Sequence, residues 1–472
     1  MTRLHPRNLA RREGAFELLF LIVLAAGLVL GGASRGNPLA SLIIQLISLP
    51  LLGWAVWRLL ERGVTRIERA LVVLVGIMMI WPLVQLIPLP VGLWASLGGR
   101  AELAAELNGL MLNPASRPLS LSPDRTFGTW LDFLPFVAVL LATLSLGSGA
   151  RNRAIWLIVG AAVISLTLGV MQQIGGPESV LRFHSLNTTH SPVGLFANRN
   201  NFGVFLACVL PLTVYLALRP GLVNGVIGKL ALGAVGIALL GGVALSGSRA
   251  ALVLLALSVI LSGVLAVRGL MARLPRQGKP VRVGPLRLAP RTALFAGAGL
   301  VSIALIAAVA LGTIALGTQW QAVNRMMIAD DTVRGQLVTR SVELGTQYLP
   351  FGAGGGAFER VYAAVEPVEE LSEGYPNQVH NDYVEVFLEF GLIGALVLVA
   401  GLIVVGLAAA NGWERSRRGI SMAAFASIPV LLLLAHSVVE FPLRTFALSM
   451  VFAFLVGLIT APQSSIPERD SV

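Results

Sequence analysis

Charge is scarce in this chain. Asp, Glu, Lys and Arg make up 12% of its 472 residues, whereas a soluble surface needs about a quarter. Hydrophobic residues reach 56% and the mean hydropathy is +0.80, so a polar globular exterior cannot be built. The lone cysteine, Cys208, excludes a disulfide scaffold, and with only five histidines no zinc spacing is present. Abundant Leu, Val and Ala exclude disorder. Strands alternating about every ten residues are missing, which excludes a membrane barrel. What remains is an all-α membrane protein, because in lipid a helix satisfies its own backbone hydrogen bonds.

Twelve runs of at least 17 residues carry no charged side chain: 18–34, 36–57, 70–99, 133–150, 154–177, 200–218, 230–248, 250–267, 292–324, 390–413, 419–439 and 445–467. A spanning helix needs roughly 20 apolar residues, so about twelve transmembrane helices are expected. A turn at 246–249 is required, since 230–267 as one helix would be roughly 57 Å long. With both termini inside, the cytoplasmic segments hold 23 of the 35 basic residues. Loop 268–291 has seven basic residues and no acid; the long external loop 317–380, between the ninth and tenth helices, has eight acids and four arginines. The net charge of +11 therefore orients helices by the positive-inside rule and need not bind nucleic acid. Arg11-Arg12 before an apolar run resembles a signal peptide, but the further spans favour an uncleaved first helix. The chain divides into helices 1–4 (1–150), helices 5–9 (151–316), the external loop (317–380) and helices 10–12 with a tail (381–472). Segment 93–112, between prolines, reads as a short interfacial helix on the outer face.

Polar groups that burial in a membrane makes costly mark function, and here they gather at one face. Asn198, Arg199, Asn200 and Asn201 start the sixth helix from outside; Arg249 starts the eighth; His380, Asn381 and Asp382 open the tenth. His436, Glu440 and Arg444 lie at the outer ends of the last two helices. Three of the clusters lie at helix N-termini, where backbone N–H groups and the helix dipole favour anions. With Arg199 and Arg249 they suit a diphosphate, and His380 could take a proton from an acceptor hydroxyl. Plainer readings stand beside these. Arg249 alone also suits a side chain snorkelling to lipid phosphate. His436 and Glu440, spaced i, i+4, could simply bond each other. Glu385 and Glu389 could orient His380 or face a wet groove. His184 and His190 read as solvated, and Cys208 as a packing residue.

Several motifs fail. The stretch 349–362 lacks the Lys-Ser/Thr of a phosphate loop, so its glycines read as a tight turn that docks Phe358. No Asp-x-Asp triplet offers a metal-nucleotide site, and no G-x-S-x-G elbow supports acyl transfer.

The runs N-R-N-N (198–201), G-S-R (247–249), P-F-G-A-G-G-G-A-F (350–358), H-N-D-Y with E-F-G-L-I-G (380–394) and H-S-V-V-E-F-P-L-R (436–444) together resemble the O-antigen ligase and polymerase superfamily of bacterial inner membranes. The resemblance covers about 155–460. It implies an inverting, metal-independent glycosyltransferase without cofactor, working at the periplasmic face on undecaprenyl-diphosphate-linked glycans. By that resemblance Arg199 and Arg249 would hold the diphosphate and His380 would be the base. Asn198, Asn200, Asn201, Asp382, Glu385, His436, Glu440 and Arg444 would support them. Acceptors within the family are lipid A-core or a growing polysaccharide, and members also glycosylate proteins; ligase comes first here, repeat-unit polymerase second. A transporter or flippase of the same lipid-linked glycan is the rival of another class. Inverted repeats, broken helices and midplane charges would favour it, whereas the apolar runs here are clean.

Overall fold

The computed structural model describes residues 6–34, 37–112, 114–184, 188–273, 281–283, 286–288, 299, 321–367 and 376–462. The protein is an all-α polytopic membrane protein. Among the described residues, nine helices are long and apolar enough to cross a membrane. They are α1 (Pro6–Leu30), α2 (Pro38–Arg62), α3 (Arg66–Gln85), α6 (Pro123–Ser145), α7 (Ser148–Gly175), α8 (Arg199–Leu218), α9 (Gly225–Ser246), α10 (Arg249–Met271) and α13 (Asp382–Arg415). Two shorter apolar helices, α14 (Met422–His436) and α15 (Phe446–Thr460), complete the bundle. Eleven of the twelve charge-free runs therefore carry a spanning or shorter apolar helix; of the ninth, 292–324, all but 299 and 321–324 lies outside the described residues.

Short elements fill the connections. Between α3 and α6, β1 (Pro88–Pro90) pairs antiparallel with β2 (Ser116–Pro118), enclosing α4 (Val91–Ala95) and α5 (Ala101–Gly109). None of α5 is buried, as expected of an interfacial helix. A second small ladder joins β3 (Val281–Val283) to β4 (Leu286–Leu288) in the basic loop. The long loop before α13 contributes α11 (Gln321–Gln347) and α12 (Phe358–Ala363).

Local chemistry sets the helix starts. Thr65 and Glu68 form a reciprocal capping box at α3. Asn198, Ser248 and Asn381 cap α8, α10 and α13 with their side chains. The expected break after α9 is made by Gly247, whose φ of 66° is the left-handed conformation that ends a helix cheaply in glycine. One continuous core runs from Phe16 to Ala461, with α8, α14 and α15 buried on nearly all sides. Cys208 sits in it, its Sγ 3.7 Å from the Pro429 carbonyl.

One end of the bundle is dominated by arginines. Arg58 and Arg62 pair with Glu13 and Glu68, Arg153 pairs with Glu17, and Arg151, Arg219 and Arg268 donate to the carbonyls of Pro462, Ile420 and Trp413. The other end is built differently, around two departures from regular helix.

The first is a break in α13 at Gly391 (φ 61°, ψ −145°), which the clean apolar run did not announce. The freed backbone groups are taken up by the glycine-rich loop 350–357 and by α3. Ala353 N–H donates to the Leu388 carbonyl and Gly354 N–H to that of Glu389, both at 2.9 Å, while Leu392 N–H donates to the Pro350 carbonyl at 2.9 Å. Trp81 Nε1 donates to the Phe390 carbonyl at 3.1 Å, and Gln85 Nε2 to that of Glu389 at 2.9 Å. The loop can approach so closely because Gly352 (φ 81°) has no Cβ; one there would stand 2.4 Å from the Glu389 oxygen. These glycines thus do more than turn the chain: they plug a broken helix. Phe358 does dock, in a small satellite core with Leu337, Leu344, Val361 and Leu388.

The second departure is the turn 437–445. Helices of 15 residues rise about 22 Å, short of the roughly 30 Å hydrocarbon thickness. The turn joining α14 to α15 is therefore recessed. Irregular backbone at that depth is tolerated only where protein covers it; Ser437, Glu440, Phe441 and Thr445 are buried, while Val438 and Val439 are exposed.

Candidate active site

The recessed turn and the three capped helix starts meet at the end of the bundle away from the arginine-rich loops. Glu440, 2% exposed, is the focus. Its Oε1 accepts from Asn200 Nδ2 at 2.5 Å and from Arg334 Nη1 at 2.8 Å. Its Oε2 lies 3.4 Å from His380 Nδ1, an ion-pair approach longer than a well-formed hydrogen bond. Three separate elements, α8, α11 and the segment before α13, thus converge on one carboxylate.

His380 is held in an unusual conformation, with φ of 58°. Outside glycine this left-handed region is sparsely used, though histidine enters it more readily than most residues. The strand-like Asn381 follows and fixes the geometry. Its Oδ1 accepts from the N–H groups of Tyr383 and Val384 while its Nδ2 donates to the Val438 carbonyl at 2.9 Å. Asp382 N–H donates to the Ser437 carbonyl at 2.9 Å. The imidazole packs edge-on against Phe441, centroids 4.8 Å apart, and remains partly exposed.

Arg199 and Arg249 come to one corner. Gly203 lets α8 press against the α9–α10 turn, where an added Cβ would stand 2.8 Å from Ser246 Oγ. The Arg199 guanidinium lies 3.9 Å from where a Cβ of Gly247 would be, two residues before Arg249. Asn200, the neighbour of Arg199, links this corner to Glu440. The caps already use some of the anion-binding donors. Asn198 Oδ1 takes Asn200 N–H at 2.7 Å and Ser248 Oγ takes Ala251 N–H at 3.3 Å.

The cluster 436–444 is divided rather than joined. The His436 side chain does not bond Glu440, although Glu440 N–H donates to the His436 carbonyl at 3.0 Å: both ring nitrogens are buried without a hydrogen-bond partner among the described residues, as is Asn201 Oδ1. Arg444 belongs to a separate group. Its Nη2 lies 3.0 Å from Glu389 Oε2 and 3.2 Å from Glu385 Oε1, and its Nε lies 3.9 Å from Asp382 Oδ1. Glu385 also accepts from Val379 N–H at 3.1 Å, bracing the His380 segment. Glu385 and Glu389 therefore do not bond His380 directly.

Two residues of the assembly had no sequence signal of their own. Arg334 was one of four arginines in a polar loop, and only the fold brings it to Glu440. Gln85, in an apolar run, holds the loop 350–357 by donating to the Phe351 and Glu389 carbonyls and accepting from Gly355 N–H. His190 is exposed as expected. His184 is only partly exposed: its Nε2 lies 3.0 Å from the Leu195 carbonyl, and burial outweighs that contact to hold it below the usual histidine range. Among the described residues, no group of three or more His, Cys, Asp or Glu side chains is arranged to hold a metal.

A family model described as O-antigen ligase matches residues 234–399. The matched stretch covers Arg249, Arg334, His380 and the break at Gly391, but not Arg199, Glu440 or Arg444. No curated protein is matched by the chain.

Proposed function

The match over residues 234–399 supports membership of the O-antigen ligase/polymerase superfamily, and on that premise we propose that the protein is a glycosyltransferase of a bacterial inner membrane. It moves a glycan from undecaprenyl diphosphate to an acceptor hydroxyl at the periplasmic face. Lipid A-core is the first acceptor to consider and a growing polysaccharide the second. The observation that carries the reading is the convergence of His380, Glu440, Asn200 and Arg334 beside the corner where Arg199 and Arg249 gather.

The chemistry follows from those positions. His380 turns Nδ1 toward Glu440, which leaves Nε2 to take the proton of the acceptor hydroxyl. The oxygen forms its bond to the anomeric carbon as the carbon–oxygen bond to phosphate breaks. The electron pair leaves with the diphosphate, whose charge Arg199 and Arg249 hold through forked hydrogen bonds. Single displacement inverts the anomeric centre and needs no covalent enzyme intermediate. Asn200 and Arg334 fix Glu440, and Glu440 orients His380. The donor is already activated, so no nucleotide enters the scheme.

The test is reconstitution of the purified protein in liposomes with lipid-linked glycan and candidate acceptors, reading new glycosidic bonds and released undecaprenyl diphosphate. His380→Ala is expected to lower transfer by about 10²-fold or more, the usual contribution of a general base, while donor binding persists. Arg249→Lys is expected to be strongly impaired, because a point charge does not reproduce the fork. Full transfer by His380→Ala would overturn the base assignment. A gene deletion separates the acceptors. Bare lipid A-core with polymer left on the carrier marks a ligase; core capped by one repeat marks a polymerase.

A further inference from the structure

A cavity of about 310 Å³ lies at the arginine-rich end of the bundle, at the opposite end of α14 from His436 and Glu440. It is lined by Arg219, Arg273, Arg415, Arg418 and Ser421. We propose that it is a binding site for a membrane lipid whose head group carries two phosphates. The proposal does not depend on the transferase reading above.

Each arginine comes from a different element. Arg219 is the C-cap of α8, and Arg273 follows Ala272, the C-cap of α10. Arg415 is the last residue of α13, and Arg418 ends the 3₁₀ turn Ser416–Arg418. Backbone contacts draw these ends together. Arg219 Nη1 donates to the Ile420 carbonyl at 3.1 Å, Arg268 Nη2 to the Trp413 carbonyl at 3.3 Å and Arg273 Nη1 to the Leu218 carbonyl at 3.4 Å. Gly269 has no Cβ, so α10 can lie against the Ile420 side chain. Ser421 caps α14 by accepting from Ala424 N–H, which adds the positive end of that helix to the cavity.

The charge is of one sign. Among the described residues no carboxylate lines the cavity; that of Glu414, nearby in the chain, lies 3.0 Å from Arg417 instead. The sequence from Arg273 to Arg291 adds no acid. A sphere of the cavity's volume is about 8 Å across, inside one Debye length at 0.1 M salt, so the four guanidinium groups around it repel one another. Arginines near helix C-termini ordinarily serve the helix dipole and the last carbonyls. That role uses one donor each on Arg219 and Arg273. It leaves four of the five N–H donors of each guanidinium, and it does not explain why four side chains surround one cavity.

A phosphate answers this arrangement. A guanidinium fork takes two of its oxygens at once, and four forks match two phosphates, two to each. The membrane supplies such a group at this level. The four arginines end or follow spanning helices, and beside them the partly buried Trp413 ring donates from Nε1 to Ser427 Oγ at 2.7 Å. Arginine and tryptophan at helix ends mark the head-group layer, where basic pockets between helices bind multiply charged lipid heads. A cavity of a few hundred Å³ holds one head group while the acyl chains stay in the bilayer.

The test uses the full chain in detergent micelles with defined added lipid, read by native mass spectrometry. The probes are tetraoleoyl cardiolipin, with two phosphates, dioleoyl phosphatidylglycerol, with one, and inorganic pyrophosphate. Cardiolipin is expected to bind at least about tenfold more tightly than phosphatidylglycerol, and pyrophosphate at equal concentration not to displace it. Arg415 and Arg418 are exposed, so substituting them does not disturb the core. Arg415→Gln/Arg418→Gln is expected to weaken cardiolipin about tenfold or more. Arg415→Lys/Arg418→Lys, which keeps the charge and loses the fork, falls between. Arg417→Gln, exposed and outside the cavity, keeps wild-type affinity. All variants are compared at equal helicity by circular dichroism. Cardiolipin binding unchanged in the glutamine double variant, or lowered as much by Arg417→Gln, would overturn the site. Equal affinity for phosphatidylglycerol would overturn the two-phosphate head group. Displacement by pyrophosphate at equal concentration would overturn the lipid and give the pocket to a free anion.

Discussion

Glu440 takes two donors on one oxygen and leaves the other 3.4 Å from His380, so its charge and its position can be separated by substitution. Glu440→Gln keeps the shape and loses the charge that steadies the imidazole as it accepts a proton. Transfer is expected to fall between about tenfold and 10³-fold in kcat with donor KM little changed, and Glu440→Asp to recover part of it. Unaltered kcat in Glu440→Gln would remove this residue from the mechanism. Arg334 tests the same cluster from the other side. Arg334→Ala leaves a buried carboxylate short of its cation, a loss of about 3–5 kcal/mol when a buried pair is broken, whereas Arg334→Lys retains a point charge. The expected order of thermal stability is wild type, Lys, Ala; an Ala variant as stable as wild type would mean that Arg334 only touches Glu440.

At the scale of elements, the working parts are the places where regular helix fails. The break at Gly391 lets α13 change direction below His380, and loop 350–357 and Gln85 satisfy what the break exposes. Gln85→Leu removes two donated bonds and one accepted bond at buried carbonyl and N–H groups, each worth about 1–3 kcal/mol when left unmet. Because those bonds hold the loop to α13 rather than the helices to one another, the damage is expected to be local. Hydrogen exchange at the Ala353 and Gly354 amides should accelerate, while α8 stays protected. Uniform acceleration across the bundle would show instead that the loop is integral to the core. The break falls at the tenth of the 34 residues of α13 and is covered by protein.

Across the whole molecule, the parts legible in the sequence were those governed by composition. Runs free of charge gave the helices, and the uneven distribution of arginine distinguished the two ends. The helix starts at Asn198, Arg249 and Asn381 were legible, and the caps that Asn198, Ser248 and Asn381 supply there are local chemistry. Arg334, Gln85 and the partition of Glu440 from Arg444 were not legible. Each depends on which elements pack together, and neither residue type nor spacing encodes that. Orientation is the remaining property of the whole chain, and the only native thiol makes it measurable. Cys208 is buried in the core beside Pro429, so it should not react in the folded protein. His190 is exposed at the site end, and Arg417 is exposed at the arginine-rich end. By the positive-inside rule the basic residues concentrated at the latter end are expected to face the cytoplasm. A membrane-impermeant maleimide added to intact spheroplasts is therefore expected to label His190→Cys at once and Arg417→Cys only after permeabilisation. Labelling in the reverse order would put His380 and Glu440 in the cytoplasm, where a periplasmic transfer reaction cannot occur.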